Sequence, residues 1–266
     1  MLSNRRQPSS QARPVERLAE HLSSWINLEV CLSGGIGVAV GMSGGIDSAV
    51  AAALAKRAFP HHALGVLLPC HSDPQDAEDA LLVAHHFGVA TATVDLGGVF
   101  DLLLEQLSRS SAELADDRLA EANIKPRLRM TALYAFANHL GYRVLGTGNR
   151  SEREVGYFTK YGDGGADFLP LGALTKSQVR ALAEYLEVPR RVIDKPPSAG
   201  LWNGQTDEGE MGVGYEELDA YLMGAAGDSH PVIDAMHQSS QHKRELPKIA
   251  PFPEGGTGET TGPRGR

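Results

Sequence analysis

Cysteine is scarce in this sequence: its 266 residues include two, Cys31 and Cys70, which do not form a CxxC pair. This scarcity argues against a disulfide framework and against zinc or iron–sulfur sites held by cysteine, and it favours a reducing, cytoplasmic location. No apolar run approaches the roughly 20 residues that span a bilayer, so we expect no membrane association. Because the net charge is −8, a broad electrostatic contact with nucleic acid is not expected either.

The two ends of the chain differ in composition from its middle. Residues 1–13 carry arginines among serine, glutamine and proline but lack the apolar stretch of a targeting peptide, so we predict a disordered arm there. Residues 249–266 are rich in glycine, proline and threonine, which predicts a disordered tail. Residues 14–248 show no internal repeat and no second core-forming region, so a single domain is expected.

Short apolar stretches alternate with longer helical patterns through the middle of the chain. This alternation is typical of an α/β protein and predicts a doubly wound parallel sheet of about five strands with flanking helices. Such sheets bind ligands beyond the carboxyl ends of their strands. The predicted strands span residues 36–42, 63–68, 90–95, 142–146 and 168–170, and helices are predicted at 14–28, 47–59, 74–88, 127–140 and 176–187 and between 99 and 122.

Residues 43–48, with the sequence Ser-Gly-Gly-Ile-Asp-Ser, follow the first predicted strand and lead into an alanine-rich helix. The two glycines let backbone N–H groups turn toward one point without a Cβ atom in the way. Ser43 and Ser48 add hydroxyl donors, and the helix N-terminus adds partial positive charge. We therefore interpret residues 43–48 as a phosphate-binding loop, hereafter the phosphate loop. It is not a Walker A loop, because the lysine of that motif is missing.

Asp47 is the member of the phosphate loop that indicates a metal. An acidic side chain is expected to face a phosphate only when a cation lies between them, so Asp47 is predicted to bind Mg²⁺. The alternative interpretation is that Asp47 and Ser48 merely cap a helix beside a tight turn.

The phosphate loop resembles the SGGxDS loop of the ATP pyrophosphatases, which adenylate carboxylates or carbonyl oxygens and release pyrophosphate. Further segments are similar to the signature set of the ammonia-dependent NAD synthetase family and lie in that family's order. The resemblance covers about residues 14–248 and implies an adenine nucleotide alpha hydrolase-like fold. The matching segments are residues 123–130, 146–152, 156–167, 174–176, 195–199 and 242–244.

The resemblance implies roles for residues outside the phosphate loop as well. Glu152 would be the second Mg²⁺ carboxylate beside Asp47, and these two residues with Lys176 would be catalytic. Lys176 begins a predicted helix, where a cation opposes the helix dipole, and a phosphate-binding lysine would produce this conflict. The implied ATP-binding residues are Gly41, Met42, Ser43, Gly44, Gly45, Ile46, Asp47, Ser48, Thr147, Lys176 and Ser198. The implied deamido-NAD-binding residues are Arg127, Lys160, Asp167, His242 and Lys243.

The reaction implied by the resemblance is the final step of NAD biosynthesis. The nicotinate carboxylate of deamido-NAD attacks the α-phosphorus of ATP, which gives NAD-adenylate and pyrophosphate; ammonia then attacks the adenylate and AMP leaves. A glutamine-using form needs an added amidase domain, which residues 1–35 cannot supply, so we expect ammonia, either free or delivered by a partner. The family is homodimeric, and a homodimer is expected here.

Several alternative interpretations remain open at the level of sequence. Glu152 alone also fits a helix-terminal charge, residues 158–165 fit a solvated turn, and residues 242–243 fit an exposed basic turn. Residues 199–214 have no clear period and suggest a mobile lid over the substrate.

Rival functions predict features that this sequence lacks. A tRNA-modifying relative should carry basic charge or catalytic cysteines, and GMP or asparagine synthetases lack the segment at residues 157–165. A nucleotide-binding regulator would not need Asp47, Glu152 and Lys176 together. Two departures from the family pattern are a Gly-Thr-Gly-Asn-Arg sequence where many members have Gly-Thr-Asp-His, and Ser198 in place of a threonine.

Overall fold

A computed structural model describes residues 14–111, 113, 117–200, 202, 205–225 and 230–251. The arm predicted for residues 1–13 lies outside these residues, and so does the part of the predicted tail beyond residue 251. None of the helices in the described residues is both long enough and apolar enough to cross a membrane.

A parallel sheet forms the centre of the described structure, as predicted. Its four strands are arranged in the order β3-β2-β1-β4, so the first strand of the chain lies between the second and the fourth. Val38 is paired with Ala63 on one side and with Arg143 on the other. The strands are β1 (Val38–Gly41), β2 (Ala63–Leu67), β3 (Ala90–Thr93) and β4 (Arg143–Leu145).

The predicted fifth strand is reduced to a single bridge. Phe168 pairs with Leu145 in parallel, and the Gly146 N–H donates to the Phe168 carbonyl at 2.8 Å. The ladder does not continue, because Pro170 has no N–H to donate and follows two residues later. The sheet therefore has four strands in the described residues rather than about five.

Helices connect the strands and cover both faces of the sheet. Side chains alternate across a strand, so Val38 and Val40 belong to one apolar cluster and Ala39 to the other. The helices are α1 (Pro14–Leu32), α2 (Ile46–Ala58), α3 (Pro74–Phe87), α4 (Gly97–Ser110), α5 (Arg118–Ala122), α6 (Ile124–Leu140), α7 (Arg150–Val155), α8 (Lys176–Tyr185), α9 (Arg190–Ile193), α10 (Asp207–Met211), α11 (Tyr215–Leu222), α12 (His230–Ser239) and α13 (Gln241–Arg244).

The two clusters beside the sheet explain the doubly wound arrangement. The first cluster draws buried residues from α1, α2, α3, α8 and α9, and the second draws them from α4 and α6. A third, smaller cluster joins the end of α7 to α11 and α12 through Val155, Leu218 and Ile233. The sequence indicated no second core-forming region, because these C-terminal helices are short and interrupted by glycines.

Local signals set the helix ends. Asp73 caps α3 by accepting from the Gln75 N–H at 2.9 Å, and Gly88 ends the helix with φ of +65°, as predicted. Helix α6 begins at Ile124 rather than at the predicted Arg127. Pro126 is tolerated there because a residue in the first turn has no intrahelical N–H bond to lose.

Candidate active site

The phosphate loop begins where β1 ends and leads directly into α2. Gly44 has φ of +77°, and a Cβ atom at this position would lie 2.3 Å from the Asp76 carbonyl oxygen. The loop therefore packs against the first turn of α3 so closely that only glycine fits. This explains the second residue of the Ser-Gly-Gly string by geometry.

Replacing Gly44 with alanine is expected to lower the free energy of unfolding by about 2 kcal/mol or more, since it combines a strained φ with a backbone clash. ATP binding should be lost with the shape of the loop. Gly98 is the matched control, because it has no positive φ and a Cβ atom added there would meet no other atom within 4 Å. Thermal unfolding and ATP titration of both alanine variants test this; equal behaviour would show that the loop tolerates a side chain.

The two serines of the phosphate loop hydrogen-bond within the loop. Ser48 Oγ donates to the Gly45 carbonyl at 2.9 Å, and it accepts from the Ser43 N–H at 3.3 Å. The Gly45 N–H donates to Ser43 Oγ at 3.3 Å. These hydroxyls thus fix the loop's shape. The N–H groups of Ile46 and Asp47 lie in the first turn of α2, which leaves such groups without intrahelical partners.

Lys176 joins the two carboxylates that were predicted to bind metal. Its Nζ atom lies 2.6 Å from Asp47 Oδ2 and 3.2 Å from Glu152 Oε1. The side chains of Lys176, Asp47 and Glu152 are 11%, 17% and 16% exposed, so this contact is largely shielded from water. The structure therefore brings the three predicted catalytic residues together beside the phosphate loop. The alternative that Asp47 merely caps α2 is not supported, because its carboxylate is used here instead.

Charge in this cluster is unbalanced toward the negative side. Burial, followed by the nearby Asp47 carboxylate, raises the pKa of Glu152 to about 7, although Lys176 opposes this shift. Burial alone would lower the pKa of Lys176, but the charges of Asp47 and Glu152 raise it above its ordinary value. Two carboxylates thus face one ammonium group, an arrangement that favours a further cation.

The chemistry of this pair of carboxylates fits Mg²⁺. In the described residues, no group of three or more His, Cys, Asp or Glu side chains is arranged to hold a metal. Mg²⁺ commonly takes one or two protein carboxylates and completes its shell with water and substrate phosphates. Asp47 and Glu152, next to a loop suited to phosphate, meet that requirement.

Asn149 is a site residue that the sequence analysis missed. Its Nδ2 atom donates to Asp47 Oδ1 at 2.9 Å. Its Oδ1 atom accepts from the Glu152 N–H at 3.0 Å, and Glu152 Oε2 accepts from the Asn149 N–H at 3.3 Å. This capping box at the start of α7 could have been found from the Asn-x-x-Glu spacing. Glu152 therefore fits both the helix-terminal and the active-site interpretation, because Oε2 caps α7 while Oε1 faces Lys176.

The predicted lid, residues 199–214, is not wholly irregular. It contains α10, and Asp207 at the start of this helix accepts from the Tyr215 hydroxyl at 2.9 Å. The same hydroxyl lies 3.2 Å from Glu152 Oε1, and the Tyr215 ring centre is 4.7 Å from Lys176 Nζ. Burial and the neighbouring carboxylates raise the pKa of Tyr215, which keeps its hydroxyl protonated. Whether the segment moves stays a prediction.

The predicted ATP-binding residues outside residues 43–48 and Lys176 lie on three further segments of the chain. Ser198 Oγ donates to the Gln205 carbonyl at 2.8 Å and accepts from the Gly200 N–H at 3.1 Å, so its bonds lie within residues 198–205. Thr147 is half-buried in the turn that follows β4. Gly41 and Met42 lie at the end of β1, where the Met42 N–H donates to the Val66 carbonyl at 2.9 Å.

A second group of predicted residues meets at α13. Lys160 Nζ donates to the His242 carbonyl, and Lys243 Nζ donates to the carbonyls of Gly156 and Phe158 at 2.8 and 3.0 Å. Burial lowers the pKa of Lys243; Asp163 opposes this shift and the positive charge of Arg127 adds to it. The His242–Lys243 segment is thus tied to the turn before Lys160 rather than being an isolated basic turn.

Asp167 occupies a different place from these basic residues. Its Oδ2 atom accepts from the Val144 N–H at 2.7 Å and its Oδ1 atom from the Tyr134 hydroxyl at 3.1 Å. It therefore joins the outer edge of β4 to α6, the helix whose first turns carry Arg127.

Comparison with known proteins identifies the family of this chain. A sequence profile described as NAD synthase matches residues 18–247. The NH(3)-dependent NAD(+) synthetase of Carboxydothermus hydrogenoformans is 47% identical over 236 residues, which cover 88% of this chain and 97% of the relative.

Two solved structures have the same fold over most of this chain. NMN synthetase from Francisella tularensis has a TM-score of 0.85 and 38% identity, covering 91% of this chain and all of that one (100%). NH3-dependent NAD synthetase from Campylobacter jejuni, solved with a nitrate ion, has a TM-score of 0.73 and 29% identity, with coverage of 90% and 100%. The chain belongs to the NAD synthase family, a family of ATP-using ligases, which confirms the family prediction and the predicted class of fold.

Proposed function

We propose that this chain catalyses the ATP-dependent amidation of deamido-NAD with ammonia, giving NAD, AMP and pyrophosphate through NAD-adenylate. The observation that carries the proposal is the Asp47–Lys176–Glu152 cluster beside the phosphate loop. The chain's 47% identity to a named NH(3)-dependent NAD(+) synthetase supports the same conclusion. On this proposal residues 14–248 form the catalytic domain and complete the final step of NAD biosynthesis.

The phosphate loop and Lys176 act on the pyrophosphate end of ATP. The first-turn N–H groups of α2 donate to phosphate oxygens, and the Lys176 ammonium offsets charge that grows on the leaving group. Thr147 and Ser198 complete the ATP contacts together with residues 41–48. Ser198 can do so only by exchanging its present bond to the Gln205 carbonyl, 2.8 Å away, for one to ATP.

Asp47 and Glu152 would hold Mg²⁺ as the cofactor. Mg²⁺ held there would offset the negative charge that develops on the pyrophosphate as its bond to the α-phosphorus breaks. Asn149 orients Asp47 through its 2.9 Å hydrogen bond, and the Tyr215 hydroxyl lies 3.2 Å from Glu152 Oε1. Such supporting contacts commonly tune a metal site as much as its direct ligands do.

Arg127, Lys160, Asp167, His242 and Lys243 would bind deamido-NAD. The four basic residues suit an anionic dinucleotide, because charge-assisted hydrogen bonds to phosphate and carboxylate are the strong ones. Their mutual proximity supports the proposal: Arg127 acts on the pKa of Lys243, and Lys160 contacts the His242 backbone.

A homodimer in the cytoplasm is the remaining part of the proposal. Helix α4 exposes Val99, Leu102 and Leu103, three apolar side chains at a spacing that places them on one face. A second copy of the chain would cover them. Sedimentation velocity tests the assembly: a single species of twice the chain mass is expected, and a monomer at micromolar concentration would contradict it.

Amidation of nicotinate mononucleotide is the second candidate function. It is favoured by one observation, the TM-score of 0.85 to the structure of NMN synthetase from Francisella tularensis. The two substrates share the nicotinate carboxylate and differ in the adenylyl part, which only deamido-NAD carries. The candidates therefore differ in substrate and agree on the chemistry at Asp47, Glu152 and Lys176.

Steady-state turnover with alternative substrates tests the proposed function. Pyrophosphate release is measured with ATP, Mg²⁺ and either ammonium or glutamine, across deamido-NAD, nicotinate mononucleotide, xanthosine monophosphate and aspartate. We expect the highest kcat/KM with deamido-NAD and ammonium. A higher value with nicotinate mononucleotide would favour the second candidate, turnover with glutamine but not ammonium would contradict the nitrogen source, and ATP binding without turnover would indicate a regulator.

A further inference from the structure

Asp219 is a buried acid that has no place in the site described above. It lies on α11, is 6% exposed, and directs its carboxylate at the start of α8. The Ser177 N–H donates to Oδ2 at 2.8 Å, and the Lys176 N–H lies 3.4 Å from Oδ1. The Ser151 hydroxyl donates to the same Oδ1 atom at 2.5 Å.

The contacts of Asp219 with the N–H groups of Ser177 and Lys176 offset the conflict between the Lys176 charge and the dipole of α8. A cation at the first position of a helix opposes the dipole, whereas an anion there stabilises the helix and satisfies N–H groups that have no intrahelical partner. Asp219 supplies that anion from another helix. It therefore holds the backbone of Lys176, from which the side chain extends to Asp47.

The contact with Ser151 ties the same carboxylate to the other half of the cluster. Ser151 is fully buried and directly precedes Glu152. Its hydroxyl also accepts from the Lys176 N–H at 3.1 Å. One buried carboxylate thus fixes the starts of α7 and α8 relative to each other, and with them the positions of Glu152 and Lys176.

We propose that Asp219 is a positioning residue for cleavage of ATP, which acts through Ser151 and the backbone of Lys176 and touches no substrate. The inference rests on the proposed function. Because the charge on the leaving group grows in the transition state, a displaced Lys176 ammonium costs more in kcat than in ground-state binding of ATP.

Asp219→Asn in the full chain tests this, with Ser151→Ala as the second variant should the first fold poorly. The amide keeps the size of the carboxylate but loses its charge and one acceptor. We expect kcat to fall by about 10- to 100-fold with deamido-NAD and ammonium, while KM for ATP changes by less than about threefold. The double variant, which combines Asp219→Asn with Ser151→Ala, should have about the same kcat as the slower single variant. Both changes break the same chain of hydrogen bonds, so their effects should not multiply.

Ile233→Val is the matched control. Ile233 is buried in the cluster that packs α11, and its apolar side chain makes no polar contact with α8. The valine variant should therefore lower Tm and leave kcat at 25 °C unchanged. Wild-type kcat in folded Asp219→Asn, or independent and multiplicative losses in the double variant, would overturn the inference. Lack of turnover by the wild-type chain would instead reject the proposed function, so the two failures are distinguishable.

Discussion

Replacing Asp47 with asparagine abolishes turnover and leaves the fold intact; this is the first of the two largest effects we expect. Asparagine keeps the size of the side chain and one oxygen for the Lys176 ammonium, now 2.6 Å from the carboxylate. It removes one of two carboxylates proposed for Mg²⁺, so kcat should fall by on the order of 10³-fold or more.

Two measurements on the Asp47→Asn variant separate chemistry from folding. Turnover is followed by pyrophosphate release, and the fold by thermal unfolding, where Tm should stay within a few degrees of wild type. Asp234→Asn is the control with the same change of charge, since Asp234 pairs with the exposed Tyr221 hydroxyl on the C-terminal helices. A normally active Asp47→Asn variant would remove Asp47 from the metal site.

Replacing Lys176 with methionine is expected to lower kcat by about 10²- to 10³-fold, because the leaving group loses its ammonium partner. The same change should strengthen metal binding in the absence of ATP. In the wild-type chain the Lys176 ammonium group contacts Asp47 Oδ2 and Glu152 Oε1, which are the oxygens that a metal would use. Removing a positive charge this close should tighten binding of a divalent cation by about tenfold or more.

Calorimetric titration with Mn²⁺ checks the second effect of Lys176→Met. The variant should also unfold at a lower temperature without metal, since two buried carboxylates lose their partner, and Mn²⁺ should restore the loss. Lys248→Met is the control, because that lysine is 90% exposed and forms its ion pair with Glu245 at the surface. Unchanged Mn²⁺ affinity in Lys176→Met would show that the lysine and the metal do not compete.

The fold was predictable where neighbouring residues in sequence carry the signal. The helices predicted at residues 74–88 and 127–140 end within one residue of those bounds, because Gly88 and Gly141 adopt the left-handed conformation that ends a helix at glycine. The length of the fifth strand was overestimated, because an apolar stretch indicates burial but does not show how far the ladder of paired residues runs. At Phe168 it runs for one bridge.

The candidate site was predictable for residues within recognisable strings and not for those that support them. Tyr215 lies 63 residues from its partner Glu152, and Asp219 lies 68 residues from Ser151. Tyr215 and Asp219 lie on α11, a short helix in which no sequence motif marks either residue. Their roles depend on tertiary contacts. Asn149 is intermediate, because its capping box is local while its bond to Asp47 spans 102 residues.

The long separation between Asp47 and Lys176 has a consequence for biosynthesis of the chain. These two residues are 129 positions apart, yet one hydrogen bond of 2.6 Å joins them. All four strands of the described sheet are complete by Leu145, so the sheet is built entirely from residues that precede Lys176 in the chain. Asp219, which also bonds to the start of α8, lies later still in the chain. The proposed site is therefore completed by residues that are synthesised after every strand of the described sheet.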